Sequence, residues 1–341
     1  MLVVPSSPAA DATETEAVPQ TIFEDDGLRI AGLGGGTRTL FVAFTGIGHR
    51  LGALQREEFV RVAHAGGENS VLFVQDKTRS WYNEPSFAAK LEAIVAEWSP
   101  RCGRLVTIGN SMGGFGAIVF ARLLRAQTAI AFAPQFSVCP EVIPQETRWR
   151  EFTSRIAAFR YPSAAEHMTG DCAYYLFQGD GGKDWYQIGG FPIGPNVFQF
   201  VVPGGPHNLA SVLKARGELS VIVDACADGD IGTLNAIMAG CGAVRRSPED
   251  DPYDPKRAST RKRAEAPGEQ ARAAPEATIG PLSEEEARRH HRIHREQERR
   301  EQKKATRLER KGGPRRSWKR RGLLLLGGLW RRARGFLGRP T

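Results

Sequence analysis

Between residues 27 and 217 the chain switches repeatedly between two hydrophobic periods, and this alternation limits the possible folds more than any other feature. Short runs dense in Val, Ile, Leu and Phe occupy 27–33 (GLRIAGL), 38–44 (RTLFVAF), 70–75 (SVLFVQ), 104–109 (RLVTIG), 128–134 (TAIAFAP), 172–179 (CAYYLFQG) and 196–205 (NVFQFVVPGG). They have the length of strands but little alternation of apolar with polar residues. A strand that is apolar on both sides has to be buried on both sides, as in a parallel sheet with a helical layer on each face. Segments with helical spacing lie between them, at 56–65, 86–98, 113–125 and 208–217. The succession predicts an α/β fold with a mostly parallel, doubly wound sheet.

Composition divides the chain. Of a formal net charge of +9, residues 245–341 carry +14 and residues 1–244 carry −5, so a mildly acidic body is followed by a strongly basic tail. Expected boundaries are 1–20 disordered, 21–243 the α/β domain, 244–282 a linker, 283–311 a charged helix or linker, and 312–341 a basic amphipathic tail. The last of these mixes Leu, Trp and Phe with clustered arginines, a composition suited to an anionic membrane surface, with nonspecific nucleic-acid contact as the alternative. No run approaches the roughly 20 apolar residues of a spanning helix, and the N-terminus lacks the basic and apolar regions of a signal peptide. Cys102, Cys139, Cys172, Cys226 and Cys241 are odd in number and widely spaced, which suggests neither a disulfide framework nor a zinc site. The expected location is cytoplasmic, with peripheral attachment to the inner membrane face through the tail. His290, His291 and His294 lie among arginines with no third ligand, so they read as a solvated charged face, and no metal is expected. Gly32 to Gly36 lead into a strand and not a helix. They lack the geometry that cradles phosphate, read as a tight hairpin turn, and imply no dinucleotide cofactor.

The segment with the most chemistry is Gly109-Asn110-Ser111-Met112-Gly113, a G-x-S-x-G sequence between a predicted strand and a predicted helix. A serine at such a corner sits in strained backbone, and its neighbours two positions away must be small for the strand to turn directly into the helix. The arrangement lifts the hydroxyl above the carboxyl edge of the sheet, beside the free amides of the helix start.

On these residues the chain resembles the α/β-hydrolase superfamily over roughly 22–240. That resemblance implies a triad in the order nucleophile, acid, histidine, with the acid after a late strand and the histidine after the last. Asp180 follows the strand 172–179 and His207 follows the strand 196–205; Asp184, four residues beyond Asp180, is the competing acid. The implied roles are Ser111 as nucleophile, His207 as general base and acid, and Asp180 as the group holding the imidazole. The oxyanion would be held by the backbone N–H of Met112 and by a second N–H from the loop after 38–44, from Ile47 or Gly46. Family members often have His-Gly in that loop where this chain has Thr45-Gly46. His49, His64 and His167 have no such placement and read as non-catalytic.

Residues 76–83 follow a strand, where loops of a parallel sheet line the ligand crevice, so Arg79, Trp81 and Tyr82 are candidates for substrate contact. Residues 136–171 are where a cap would be inserted, with 149–160 helix-like. The expected activity is a serine hydrolase cleaving an ester or related acyl bond, without a cofactor, on a small-molecule or saccharide-linked acyl substrate. The alternatives are acyl transfer to a sugar or other alcohol, or a non-catalytic scaffold of this fold in envelope or polysaccharide assembly.

Overall fold

The computed structural model describes residues 18–48, 54–181, 184–249 and 251–253, all in the first of two units, 1–279 and 280–341, into which contacts divide the chain. The expectations for the N-terminal segment to residue 17, for His49, for the linker from 254, for the charged segment 283–311 and for the tail 312–341 lie outside the described residues. Among the described residues no helix is long and apolar enough to cross a membrane.

The strands are β1 (Gln20–Glu24), β2 (Leu28–Leu33), β3 (Thr39–Phe44), β4 (Ser70–Asp76), β5 (Arg104–Asn110), β6 (Thr128–Phe132), β7 (Ala173–Gly179), β8 (Val197–Val202) and β9 (Val244–Arg245). The helices are α1 (Val60–His64), α2 (Phe87–Trp98), α3 (Met112–Leu123), α4 (Arg150–Thr153), α5 (Trp185–Ile188), α6 (Leu209–Ala215), α7 (Leu219–Asp228) and α8 (Ile231–Gly240). One nine-stranded sheet has the order β1-β2-β4-β3-β5-β6-β7-β8-β9. Strands β4, β3, β5, β6, β7 and β8 run parallel, and antiparallel β1, β2 and β9 close the two edges.

Two cores follow from the pleat. Leu40, Val42 and Phe44 face one side and pack with α2 and α3 through Leu91, Val95, Phe115 and Phe120. Phe41 and Ala43 face the other and pack with α1, α6, α7 and α8 through Ala63, Leu209, Leu213, Ile222, Leu234 and Met238. Each large side chain taken fully from water contributes roughly 1.5–3 kcal/mol, so runs apolar on both faces are the ones a doubly covered sheet retains. With the serine at the corner between β5 and α3, this is the α/β-hydrolase type of doubly wound sheet.

Several expectations are corrected. The glycines after β2 do not form a hairpin, because β4 lies between β2 and β3. Instead Gly35 and Gly36 cross the start of β4, where a Cβ would overlap the carbonyl oxygens of Asn69 and Glu68, and Gly36 N–H bonds to Gly67 O at 2.7 Å. These glycines serve a close backbone approach. The helix expected over 56–65 is only α1, because Phe59 takes a left-handed backbone (φ 61°) and stacks on Phe132 of β6. The residues before it are used by tertiary contacts: Gln55 Nε2 donates to Asp76 O, and Glu57 pairs with Arg29. The helix expected over 149–160 is likewise reduced to α4.

The domain does not end at residue 243. Strand β9 extends the sheet, and the Arg246 guanidinium is buried, paired to both oxygens of Asp251 at 2.9 and 2.6 Å and donating to the Ile188 and Phe191 carbonyls. A buried charge satisfied by these four contacts and by Gln199 Oε1 is invisible to composition, which counts Arg and Asp as solvated residues.

The two roles of the glycine run are separable. Gly36→Ala should lose roughly 1–3 kcal/mol by forcing backbone apart, whereas Gly34→Ala, with no atom within 4 Å of the added methyl, should unfold as the wild type does. Chemical denaturation of the three proteins checks this.

Candidate functional site

Ser111 has φ 56° and ψ −119°, outside the ordinary regions for a residue with a side chain. The corner holds it there. A Cβ on Gly109 would overlap Gly113 O, and one on Gly113 would overlap Phe44 O, so strand, turn and helix can approach only through these glycines. Ser111 N–H donates to Phe132 O of the neighbouring strand at 2.9 Å. The side chain is nearly buried, at 5% exposure.

Two loops bring partners to it. After β8, Gly204 in left-handed backbone turns the chain so that His207 Nε2 lies 3.0 Å from Ser111 Oγ. His207 Nδ1 lies 2.7 Å from Asp184 Oδ2. A carboxylate accepts only, so Nδ1 carries the proton and Nε2 is left to accept the serine hydroxyl. Asp184 stands at the N-cap position of α5 yet makes no cap bond there. Its Oδ1 instead accepts from Arg148 Nη1 at 2.6 Å. Burial pushes the Asp184 carboxyl up, but the hydrogen bond and charge of His207 and those of Arg148 outweigh it and hold it below the usual value. Arg148 is shared with Glu146, which also accepts from Gln187 Nε2 of α5, so the segment between β6 and β7 is tied to the helix that follows the acid.

Asp180, expected in that role, makes no contact with His207. Its oxygens accept from Gly204 N–H and, at 2.7 Å, from the Tyr253 hydroxyl. A residue directly after β7 is held against the β8 turn, since Asp180 N–H and Gly181 N–H bond to Val202 O and Gly205 O. The chain has to travel one turn further before a carboxylate can reach the imidazole.

The loop after β3 is fixed by its carbonyls. Thr45 O accepts from the Tyr82 hydroxyl at 2.7 Å and Ile47 O from Arg79 Nε at 2.9 Å. Of the expected oxyanion donors, Gly46 N–H is engaged by the Glu58 carboxylate. Met112 N–H and Ile47 N–H have no acceptor among the described residues.

Arg79, Trp81 and Tyr82, expected at the surface of a ligand crevice, are turned into the interior. Trp81 and Tyr82 are fully buried and Arg79 nearly so, at 6% exposure. Tyr82 packs edge-on against Phe44 and Phe87, inside the core that also holds α2 and α3. All three residues have left-handed backbone. Asp76 imposes it, because its buried carboxylate gathers Thr78 N–H, Thr78 O–H, Ser80 N–H, Ser80 O–H and Tyr82 N–H, turning the loop inward. Two residues that contact this group gave no sequence signal. Gln135, just past β6, donates from Nε2 to Ser111 Oγ at 3.2 Å, and Arg148 holds the acid.

Glu58 is half-buried beside this loop, and its Oε2, shielded from solvent, has no partner among the described residues. Burial outweighs the single Gly46 N–H bond and pushes the carboxyl up to about 7 from an ordinary 4.5. For an acid raised by folding, the stability it contributes is fully present below its unfolded value and is lost as pH rises through the folded one. Glu58→Gln cannot ionise. Between pH 5 and 8 the wild-type melting temperature should therefore fall relative to that of the variant, as read by thermal denaturation; parallel curves would contradict the raised value.

No protein-family model matches the chain, and no curated protein matches it. Among solved structures the chain is similar to a thermophilic esterase of the planctomycete Thermogutta terrifontis with butyrate bound, at 14% identity over 63% of this chain and 94% of that one, TM-score 0.46. It is similar to the capsule O-acetyltransferase of Neisseria meningitidis serogroup A, at 13% identity over 59% of this chain and 93% of that one, TM-score 0.43. It is also similar to an esterase of Pyrococcus furiosus, at 14% identity over 65% of this chain and 96% of that one, TM-score 0.41.

Proposed function

We propose that this chain is a serine hydrolase that cleaves an ester or related acyl bond through Ser111, His207 and Asp184. One observation carries the reading: a hydroxyl held on strained backbone lies 3.0 Å from an imidazole nitrogen whose other nitrogen is held 2.7 Å from a buried carboxylate. That constellation is what an unactivated hydroxyl needs to become a nucleophile near neutral pH.

In the proposed cycle Ser111 Oγ attacks the acyl carbon while its proton passes to His207 Nε2. Asp184 keeps Nδ1–H directed away from the serine and stabilises the imidazolium. The tetrahedral oxygen takes up Met112 N–H and Ile47 N–H, the two donors left unused in the resting protein; one such donor is worth about 10²–10³ in turnover. Collapse breaks the bond to the leaving alcohol, which takes the proton from His207. Water, or an alcohol acceptor, then attacks the acyl-enzyme by the same route in reverse, which makes hydrolysis and acyl transfer outcomes of one intermediate.

A fluorophosphonate probe reacts only with an activated serine. The full-length protein should label, and Ser111→Ala and His207→Ala should not. Asp184→Asn should react slower by about 10³–10⁴, while Asp180→Asn should stay within a few-fold of wild type. Labelling that survives Ser111→Ala, or a wild type inert to the probe, would remove the reading; a deficit in Asp180→Asn matching that in Asp184→Asn would reassign the acid.

A further inference from the structure

Ser111 Oγ has a second side-chain neighbour that the proposed chemistry does not use. Gln135, 1% exposed, donates from Nε2 to Oγ at 3.2 Å. A glutamine amide has two faces of opposite character, and which one meets the serine decides the effect. If the oxygen faced Oγ, the hydroxyl hydrogen would have a competing acceptor and could turn from His207. The orientation is fixed from behind. Trp81 Nε1 lies 3.1 Å from Gln135 Oε1, and an indole N–H is a donor with no acceptor capacity, so the amide oxygen belongs to the indole and the NH₂ to the serine. Trp81 is fully buried with φ 52°, in the loop that the Asp76 carboxylate draws inward through Ser80 and Tyr82. A bulky residue in that conformation persists only where its surroundings over-determine it, and such strain gathers at functional sites.

We propose that Gln135 is a further catalytic residue acting on the serine oxygen, and that Trp81 is a positioning residue acting through it. The proposal rests on the hydrolase reading above. In the resting protein the Gln135 N–H occupies a lone pair of Oγ, which leaves the hydroxyl hydrogen directed to His207 Nε2. In the acyl-enzyme the same oxygen is the leaving group. Water attacks the acyl carbon and passes a proton to His207 Nε2, the bond from carbon to Oγ breaks, and Oγ receives that proton as the carboxylic acid departs. Gln135 transfers no proton. It donates throughout to an oxygen that gains negative charge as the bond breaks, so its contribution is greatest in deacylation.

The test uses full-length protein with p-nitrophenyl acetate in rapid-mixing experiments that separate the burst of nitrophenol from steady turnover. Gln135→Met keeps the volume and removes the donor; Trp81→Phe keeps the ring and frees the amide to turn. Each should slow steady turnover roughly 10- to 100-fold, the range of a hydrogen bond to a charged group, with the burst amplitude growing because acylation slows less. The double variant should match Gln135→Met alone, since the indole acts only through the amide. Melting temperatures identify a folding defect, and should Gln135→Met fail to fold, Trp81→Phe decides. Turnover within two-fold of wild type in the variants, or acylation and deacylation slowed equally, overturns the proposal and leaves the hydrolase reading standing. A wild type inert to both p-nitrophenyl acetate and the fluorophosphonate removes both.

Discussion

A strand and a helix meet at Ser111 with no loop between them, and every other part of the site is fitted to that junction. A positive φ with ψ near −119° is unfavourable for a residue with a side chain, by roughly 1–3 kcal/mol, and here it is enforced by contacts that only glycine permits at 109 and 113. The serine N–H is spent on Phe132 O, and Ser111 O accepts from Phe115 N–H of the new helix, so neither strand nor helix can relax without the other. The hydroxyl therefore emerges at the carboxyl edge of the parallel strands. The loops that follow β6, β7 and β8 all emerge there too, which is how Gln135, Asp184 and His207 gather from separate stretches of chain.

Three buried carboxyl groups around the junction behave differently because their partners differ. Asp184 has a cation and an imidazole, and these overcome burial and keep it below its usual value. Asp76 pairs with no cation among the described residues but is surrounded by backbone and hydroxyl donors, which oppose the upward push of burial while tying down the loop from Thr78 to Tyr82. Glu58 has one amide, and burial wins. The carboxylate beside the imidazole is thus the one given Arg148, from the segment between β6 and β7. That segment is bound to α5 by Gln187, whose amide accepts from Phe136 N–H and Ser137 N–H and donates to Ser137 O and Glu146.

The strands and the serine corner were legible because they depend on local, one-dimensional patterns. Continuous apolar runs mark doubly covered strands, and Gly-x-Ser-x-Gly between a strand and a helix marks the elbow; β3 to β8 fall within a residue or two of their expected ends, apart from the turns that follow β6 and β8. His207 was implied by the superfamily resemblance, from its place after the last parallel strand. What misled was also local: Asp180 has the right strand-end position, Arg79 to Tyr82 look like a polar-aromatic crevice loop, and Arg246 and Asp251 look like solvated linker. A long-range partner decides for Asp180, held by the β8 turn and Tyr253, and for Arg246, held by the Ile188 and Phe191 carbonyls, while the crevice loop is turned inward by the nearby Asp76 carboxylate once that group is buried.

The amino-acid order by itself determined the class of sheet and the serine that stands at its corner, since hydrophobic period and small-residue spacing act within a few residues of chain; the histidine was implied by the superfamily resemblance. Only the tertiary structure decided which of two aspartates meets the imidazole and which face of Gln135 the serine sees. Those choices turn on differences of a few ångströms between residues far apart in the chain, and on which donor reaches a buried acceptor first, quantities that no local pattern encodes.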